Sequence, residues 1–309
     1  MTKISIIGSG RVGCSTAVHI IIKELGDLVL IDVVEGLPQG EALDLAHMAA
    51  ILGINLDIYG SNDFKDLADS DIVVVTAGIA RKPGMTREDL LEQNAKIIKD
   101  VCEKVKEYAP KAILIIVTNP LDVMTYLAWK ITGFERGRVI GFSGILDAGR
   151  FRYYIAKKLS VSPSDIEAVV LGQHGEEMIP IPRLTRVGAQ ALTELLTFNE
   201  IEEVVHKVVK AGEEITRLKK WSAYHAPGAG IALMIECIVK NQRKIMPLTA
   251  ILDGEYGYSD IALEVLAILG RNGVERIVEL SLTDDEKSRL DKAASYVKSL
   301  IEKLKGKYI

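Results

Sequence analysis

The sequence predicts an α/β protein in which a doubly wound parallel sheet is followed by a second, α+β domain. Short runs rich in Val and Ile are apolar on both faces, which is typical of parallel strands. Segments with helical periodicity separate these runs. At 309 residues, 48% of them hydrophobic, the chain is long and apolar enough to fill two cores.

The first domain, residues 1–144, repeats a strand and a helix in turn. Its strands are predicted over Lys3 to Ile7, Leu28 to Ile31, Ile72 to Val75 and Ala112 to Val117. The helices between them are predicted over Gly13 to Leu25, Gly40 to Leu52 and Asp89 to Glu107. Repeated βαβ units of this kind build an open parallel sheet, and a glycine-rich segment, Gly141 to Gly144, ends the domain.

The second domain, residues 145–309, has a mixed pattern. Its predicted elements are a helix over Arg150 to Leu159, a strand over Glu167 to Leu171 and a long amphipathic helix over Asn199 to Leu218. The last helix begins with capping-box spacing, Thr283 to Glu286. Its apolar residues recur every three or four positions and predict one docked stripe: Leu290, Ala294, Val297, Ile301 and Leu304.

Composition argues against nucleic acid and membrane surfaces as partners. The 38 basic and 42 acidic residues leave a net charge of -4, without a run of like charge. Cys14, Cys102 and Cys237 lack metal-ligand spacing and fit reduced thiols. Because the chain enters a strand at once, without a signal peptide or membrane span, we expect a cytoplasmic protein. Few Asn and Gln beside abundant Lys and Glu suggest a thermophilic source.

A glycine motif predicts nucleotide binding. Gly8 to Gly13 reads G-x-G-x-x-G between the first strand and the first helix, and Asp32 ends the next strand. Glycines let backbone amides approach a pyrophosphate at a helix N-terminus, while Asp32 can accept hydrogen bonds from ribose hydroxyls. A 2'-phosphate would meet that carboxylate, so the motif favours NAD over NADP. The alternative is a merely tight turn.

A loop with two arginines predicts a small acidic substrate. Gly78 to Arg87 follows the strand Asp71 to Thr76 and carries Arg81 and Arg87 among glycines and a proline. A guanidinium binds a carboxylate through two parallel hydrogen bonds, so a loop with two of them can close over an anion. Taken alone, the loop could equally be a solvated surface segment.

Three further segments complete a recognisable set: Thr118 to Pro120, Leu146 to Arg150 and Gly172 to Gly175. With the glycine motif, Thr76 to Gly78 and the arginine loop, the chain resembles the lactate and malate dehydrogenase family in order and spacing. The resemblance implies a Rossmann-type NAD domain and a homo-oligomer. It also implies cofactor contacts at Gly8, Gly10, Arg11, Val12, Gly13, Asp32, Thr76, Ala77, Gly78, Asn94, Val117 and Asn119.

The resemblance also implies catalytic roles. His174 corresponds to the acid/base, Asp147 to the carboxylate that orients it, and Arg150 to the clamp for the substrate carboxylate, while Asn119 and Arg87 correspond to the residues that polarise the substrate oxygen. Oxidation of a secondary alcohol releases a hydroxyl proton, which an imidazole can take near neutral pH. In the simpler alternative, His174 is a turn residue and Asp147 caps a helix. We expect no metal site.

Arg81 stands where this family selects its substrate, with Gln typical of lactate dehydrogenases and Arg of malate dehydrogenases. The implied activity is therefore reversible oxidation of L-malate to oxaloacetate. The second carboxylate of oxaloacetate can pair with Arg81, whereas pyruvate would leave a buried guanidinium unpaired. A lactate or broader 2-hydroxy-acid dehydrogenase is the alternative, and a catalytically silent NAD-binding protein or a scaffold is the more remote one.

Two residues depart from the family pattern, and one helix suggests assembly. Gly149 stands where Ala is common, and Trp221 where a glycine is more usual. The apolar helix Gly40 to Leu52 could pack across a two-fold axis. Dimer and tetramer both stay open, and the lactate-like character of the chain favours the tetramer.

Overall fold

The fold is given by a computed structural model that describes residues 1–79 and 86–309. The strands are β1 Lys3–Ile7, β2 Asp27–Ile31, β3 Ile58–Ser61, β4 Ile72–Val75, β5 Ile113–Ile116, β6 Val139–Gly141, β7 Ile166–Glu167, β8 Val170–Gly172, β9 Met178–Pro180, β10 Arg186–Val187, β11 Gln190–Ala191, β12 Lys244–Asp253, β13 Ser259–Gly270 and β14 Gly273–Val278. The helices are α1 Arg11–Ile22, α2 Leu37–Leu52, α3 Arg87–Tyr108, α4 Leu121–Thr132, α5 Gly144–Leu159, α6 Leu192–Leu195, α7 Phe198–Lys219, α8 His225–Val239 and α9 Asp284–Glu302.

The first half of the main sheet is parallel. Its strands lie in the order β3-β2-β1-β4-β5-β6. Apart from the edge strand β3, their residues are buried almost throughout, as their apolar composition predicts. The strand order reverses between β1 and β4, which pair from Ile4 with Ile72 to Ile7 with Val75. In such sheets a crevice opens beyond the carboxyl ends of the strands at this reversal, and ligands bind there.

The second half of the sheet is antiparallel. β6 is followed in space by β12, β13, β8 and β9, with β14 on β13, and Thr249 of β12 pairs with Gly141 of β6. The long hairpin of β12 and β13 was not predicted from the sequence. At its centre, the Glu264 position pairs with Thr249 on one side and Gly172 on the other. The hairpin thus joins the parallel sheet to the second domain.

Two predicted elements of the second domain need correction. The helix predicted over Arg150 to Leu159 begins earlier, at Gly144. The strand predicted over Glu167 to Leu171 is divided into β7 and β8. The reason is a change of sheet, because β7 pairs with β10 in a small three-stranded sheet whereas β8 pairs with β13 in the main one.

The terminal helix α9 confirms its prediction. The Thr283 hydroxyl accepts a hydrogen bond from the Glu286 N–H, and the Glu286 carboxylate accepts one from the Thr283 N–H, which completes the capping box. The predicted stripe is buried from Leu290 onwards, and Leu304, just past the helix end, is buried with it. Within the described residues, no helix combines the length and apolar character needed to cross a bilayer.

Candidate active site

The glycine motif forms a tight turn where β1 meets α1. Gly8 has φ +109°, and a β-carbon there would lie 2.6 Å from Thr76 Oγ1. A β-carbon on Gly13 would lie 2.0 Å from the Gly8 carbonyl oxygen. Gly10 differs, because its Cβ position has no atom within 4 Å and it caps α1 without a side-chain hydrogen bond. The helix N-terminus therefore presents open backbone amides, which fits a pyrophosphate group.

Asp32 holds the glycine turn in place. Its Oδ2 accepts a hydrogen bond from the Ser9 N–H at 2.7 Å, and its Oδ1 accepts one from the Val34 N–H at 3.0 Å. The Asn62 amide fixes the backbone of Asp32 itself by donating to the Asp32 carbonyl oxygen at 2.7 Å. The carboxylate stays part-exposed at the end of β2, where a ribose can reach it.

A cleft of about 540 Å³ extends from this turn. Its lining includes the following residues predicted to contact the cofactor: Gly10, Arg11, Val12, Thr76, Gly78, Val117 and Asn119. Trp221, which follows α7 in the second domain, also lines the cleft, and the Arg11 guanidinium lies 4.1 Å from the centre of its ring. This cation–π contact holds Trp221 against Arg11 in the wall of the cleft.

Asn94 braces the far side of the cleft. The residue is fully buried, and its Oδ1 accepts a hydrogen bond from the Ile79 N–H at 2.8 Å. Its amide nitrogen donates to the carbonyl oxygens of Ile79 at 3.2 Å and Asn119 at 2.7 Å. Both amide protons are thus used internally, so direct contact between Asn94 and the cofactor stays a prediction.

Ala77 and Thr76 are likewise fixed by their neighbours. The Thr118 hydroxyl donates to the Ala77 carbonyl oxygen at 2.6 Å, and the Thr76 hydroxyl donates to the Gly8 carbonyl oxygen at 2.9 Å. These bonds tie the ends of β1, β4 and β5 into one rigid edge.

The predicted catalytic residues come together. His174 Nδ1 lies 2.7 Å from Asp147 Oδ2, and Arg150 Nη1 donates to Asp147 Oδ1 at 3.2 Å. Asp147 and Arg150 lie on α5, whereas His174 follows β8 between glycines. Gly172 has φ +105°, a backbone conformation that favours glycine and turns the chain towards Asp147. Asp147 is fully buried, while the His174 side chain keeps 16% of its surface exposed.

A second carboxylate, missed in the sequence, supports His174 from behind. Asp122 is fully buried in the first turn of α4, and its Oδ2 accepts a hydrogen bond from the His174 N–H at 2.9 Å. Its Oδ1 accepts one from the Thr249 hydroxyl at 2.7 Å, and Thr249 lies 2.9 Å from the Ser143 hydroxyl. Because Asp122 follows Asn119 by three residues, it connects the cofactor cleft with the histidine. In the sequence, the signal for Asp122 was an acidic residue in the otherwise apolar first turn of a helix.

These surroundings change the titration of the site. Burial alone would lower the pKa of His174, but the charge and hydrogen bond of Asp147, with the charge of Asp122, outweigh it and raise that pKa. Burial raises the pKa of Asp122 to about 6, although its bonds to Thr249 and His174 oppose the shift. An imidazole with a raised pKa is suited to exchange a proton near neutral pH.

Glu264 is a third buried acid that the sequence analysis missed. One of its oxygens, an Asp147 oxygen and a His174 ring nitrogen all lie within 4.8 Å of one another. Burial, with the negative charges of Asp147 and Asp122, raises the pKa of Glu264 well above its ordinary value. In the sequence, the signal for Glu264 was one acidic residue within the apolar run 261–270 of β13.

The two arginines of the predicted anion-binding loop are Arg81 and Arg87. Arg81 is outside the described residues. Arg87 begins α3, where the Thr86 and Asp89 side chains form a capping box, but the description does not extend to the Arg87 side chain.

Fold and site together define a dinucleotide-dependent oxidoreductase, with a phosphate-binding turn at the sheet reversal and a buried pair of Asp147 and His174 suited to exchange a proton. Residues 2–141 match the model of the lactate/malate dehydrogenase NAD-binding domain, and residues 145–307 match that of the lactate/malate dehydrogenase alpha/beta C-terminal domain. The chain therefore belongs to the lactate/malate dehydrogenase family. The predicted family, fold class and NAD cofactor are confirmed.

Individual relatives are similar over nearly their whole length. The malate dehydrogenase of Aeropyrum pernix is 53% identical and that of Pyrobaculum aerophilum 49%, over 97% and 99% of this chain and 98% and 99% of the relatives. The Aeropyrum pernix structure has a TM-score of 0.95, with 97% of each chain covered. The Plasmodium falciparum malate dehydrogenase in complex with NADH has a TM-score of 0.93 at 38% identity, with 98% of each chain covered.

Proposed function

We propose that the protein catalyses the reversible, NAD-dependent oxidation of L-malate to oxaloacetate. The observation that carries the proposal is the chain of contacts from His174 through Asp147 to Arg150. Asp122 connects this chain to the cofactor cleft, because it bonds the His174 N–H and follows Asn119 of the cleft by three residues. About half of the positions are identical to those of malate dehydrogenases, and this similarity supports malate as the substrate.

In the proposed reaction, His174 Nε2 takes the hydroxyl proton of malate. Its Nδ1 faces Asp147 at 2.7 Å, which leaves the other ring nitrogen for the substrate. The Asp147 carboxylate stabilises the imidazolium that forms, and the bond from the His174 N–H to Asp122 at 2.9 Å holds the residue in place. In the reverse direction His174 returns the proton to oxaloacetate.

The cofactor site is assigned in the same proposal. Bound NAD would accept the hydride that leaves the substrate carbon. Open amides after Gly10 would hold the pyrophosphate, Asp32 the adenosine ribose, and Arg11 and Asn119 the wall of the cleft. The uncharged Val33 and Val34 beside Asp32 give no cation for a 2'-phosphate, so NAD is favoured over NADP.

Substrate binding is assigned to three arginines. Arg150 would bind the carboxylate next to the reacting carbon, and Arg81 and Arg87 would close over the other end, with Asn119 and Arg87 polarising the reacting oxygen. Arg150 Nη2 lies beside Gly212, where a β-carbon would come within 3.5 Å, so α7 backs the guanidinium. Charge-assisted hydrogen bonds contribute about 1.5 to 3 kcal/mol, so pairing Arg81 can separate malate from lactate.

The test is NADH oxidation by purified protein with oxaloacetate and, in parallel, pyruvate. We expect a preference for oxaloacetate of several hundredfold, or about 3 to 4 kcal/mol. Comparable rates would support a lactate or broader 2-hydroxy-acid dehydrogenase. No oxidation with either substrate, although NADH binds, would support a silent NAD-binding protein.

We also propose a division at residues 1–144 and 145–309, a homotetramer, a cytoplasmic location and a thermophilic source. Exposed apolar side chains on and before α2 support assembly: Val33, Val34, Leu43, Ile51 and Leu52. Sedimentation equilibrium separates dimer from tetramer, and a melting temperature below about 60 °C would contradict the thermophilic assignment.

A further inference from the structure

Glu264 lies in the middle of the sheet with an unpaired acid group. The residue is 0% exposed, and neither carboxyl oxygen has a hydrogen-bond partner among the described residues. Its side chain reaches Gly144, where a β-carbon would lie 2.7 Å from Glu264 Oε1. Because Gly144 begins the helix that carries Asp147, β13 directs an unpaired acid at the catalytic pair.

Three buried acids share this region, but their surroundings differ. Asp147 contacts His174 and Arg150, and Asp122 accepts hydrogen bonds from the His174 N–H and the Thr249 hydroxyl. Glu264 has no cation beside it among the described residues, and the Ser143 hydroxyl, which already lies 2.9 Å from the Thr249 hydroxyl, is the donor open to its ionised form. That donor does not offset the burial of a carboxylate, and two neighbouring carboxylates oppose its ionisation further. Glu264 therefore keeps its proton when the other two acids are ionised.

We propose that Glu264 is a positioning residue of the catalytic pair, a carboxylic acid that stays uncharged so that Asp147 is the single anion in contact with the His174 ring. This inference rests on the proposed role of His174. A second anion within 4.8 Å would stabilise the imidazolium, so His174 would hold its proton instead of taking one from malate.

The proposal predicts that His174 titrates alone on the alkaline limb of oxaloacetate reduction. The charged groups that face Glu264 are Asp147 on α5, with Arg150 bonded to it, Asp122 on α4 and His174 after β8, while β12 contributes the uncharged Thr249. An ionised Glu264 would keep the neighbouring imidazolium protonated to higher pH, whereas an uncharged Glu264 leaves the titration of His174 unchanged. The wild-type enzyme should therefore lose oxaloacetate reduction at the same pH as a protein with a permanently neutral side chain at position 264.

The experiment compares kcat/KM for oxaloacetate reduction between pH 6 and 10 in the wild-type protein and in Glu264→Gln, which keeps the shape but cannot ionise. Because Glu264 is already uncharged in the wild type, we expect both proteins to lose activity as a single ionisation with the same midpoint. A midpoint about one pH unit or more lower in Glu264→Gln would show that an ionised Glu264 supports the imidazolium in the wild type, and would overturn the proposal. The matched control is Glu286→Gln on α9. It removes a carboxylate that pairs with Arg183, away from the catalytic pair, and should keep the wild-type midpoint. A wild-type protein inactive at every pH would instead contradict the proposed function.

An infrared measurement on the wild-type protein needs no variant to fold. Glutamate labelled with ¹³C at its side-chain carboxyl shifts the carbonyl band of an uncharged Glu but not that of Asp122. The acids paired with cations, such as Glu236 and Glu286, have lowered pKa values and are ionised at pH 7. We expect one label-sensitive band of an uncharged acid at pH 7, which persists as the pH rises through the alkaline limb. Absence of that band at pH 7 would show that Glu264 is ionised and the proposal is wrong.

Discussion

The cofactor turn and the proton-transfer site are connected through residues 119 to 122, yet they are built differently. The turn uses mainly the backbone of Gly8 to Gly13, with Asp32 as its one acidic brace. The proton-transfer site uses side chains from α4, α5, β12, β13 and the loop after β8. The turn depends on space that only glycine leaves open, whereas the proton-transfer site depends on the balance of buried charge. Substitutions should therefore act through shape at one end and through charge at the other.

The largest effect is expected from His174→Asn, which removes the group that exchanges the proton. We expect kcat to fall about 10³-fold in both directions, because positioned acid–base groups contribute about 10²- to 10⁴-fold. The NADH dissociation constant should change little, as measured by isothermal titration calorimetry. His206→Asn, an exposed substitution on α7, is the control and should keep wild-type kcat. Retention of more than a tenth of the activity by His174→Asn would rule out the acid/base role.

Two glycine substitutions in the turn should separate folding from binding. Gly13→Ala places a methyl group 2.0 Å from the Gly8 carbonyl oxygen, so we expect a lower melting temperature and weaker NADH binding. Gly10→Ala has open space in the protein and should keep the melting temperature while it obstructs the cofactor phosphates. Its NADH dissociation constant should rise about ten- to a hundredfold, or about 1.4 to 2.8 kcal/mol. Equal losses of melting temperature in both variants would contradict this distinction.

Asp122→Asn should reveal the cost of buried charge as a function of pH. The folded-state pKa of Asp122, about 6, lies above the ordinary value of 3.8, so its contribution to stability is fully present below pH 3.8 and is lost as the pH rises through 6. The loss is about 3 kcal/mol for a shift of this size. Asn cannot ionise, so the stability of the variant relative to wild type should increase between pH 4 and 7. Urea unfolding at pH 4 and pH 7 measures the free energy of unfolding of both proteins. A difference between them that does not change with pH would contradict the raised pKa of Asp122.

The smallest effect is expected from Asp32→Asn. An amide oxygen can replace one of the two acceptors for the Ser9 and Val34 N–H groups, so the turn should persist. Loss of the negative charge should weaken discrimination against NADP about tenfold, or about 1.4 kcal/mol. The measurement is the ratio of kcat/KM values with NADH and NADPH, and an unchanged ratio would show that Asp32 does not select the cofactor.

The cofactor turn and the proton-transfer site also differ in how well the sequence predicts them. Gly8 to Gly13 is contiguous, so its spacing reports its geometry directly. His174, Asp147 and Arg150 were predicted through the resemblance to a family, and the structure brings them into contact. Asp122 and Thr249 were not predicted, because their bond joins residues 127 positions apart and neither belongs to a local motif.

The sheet shows a similar limit. The parallel strands β1, β2, β4 and β5 were predicted because each is an apolar run that alternates with a helix, whereas β3, which is only partly buried, and the three-residue β6 were missed. The β12–β13 hairpin was missed, since central strands buried on both faces lack a polar and apolar alternation. Glu264 was missed with it, because only the pairing of β13 with both β12 and β8 places that acid beside the catalytic pair.

The contact between Arg11 and Trp221 gives the protein an intrinsic optical probe. The chain has two tryptophans, and Trp129 lies elsewhere, on α4 with the Lys130 ammonium over its ring. Trp221 is 44% exposed and borders the nucleotide cleft. Because indole emission depends on the charge beside the ring, a phosphate that draws Arg11 away would change the fluorescence of Trp221. Stopped-flow mixing could therefore time the arrival of the dinucleotide in unlabelled protein, separately from turnover.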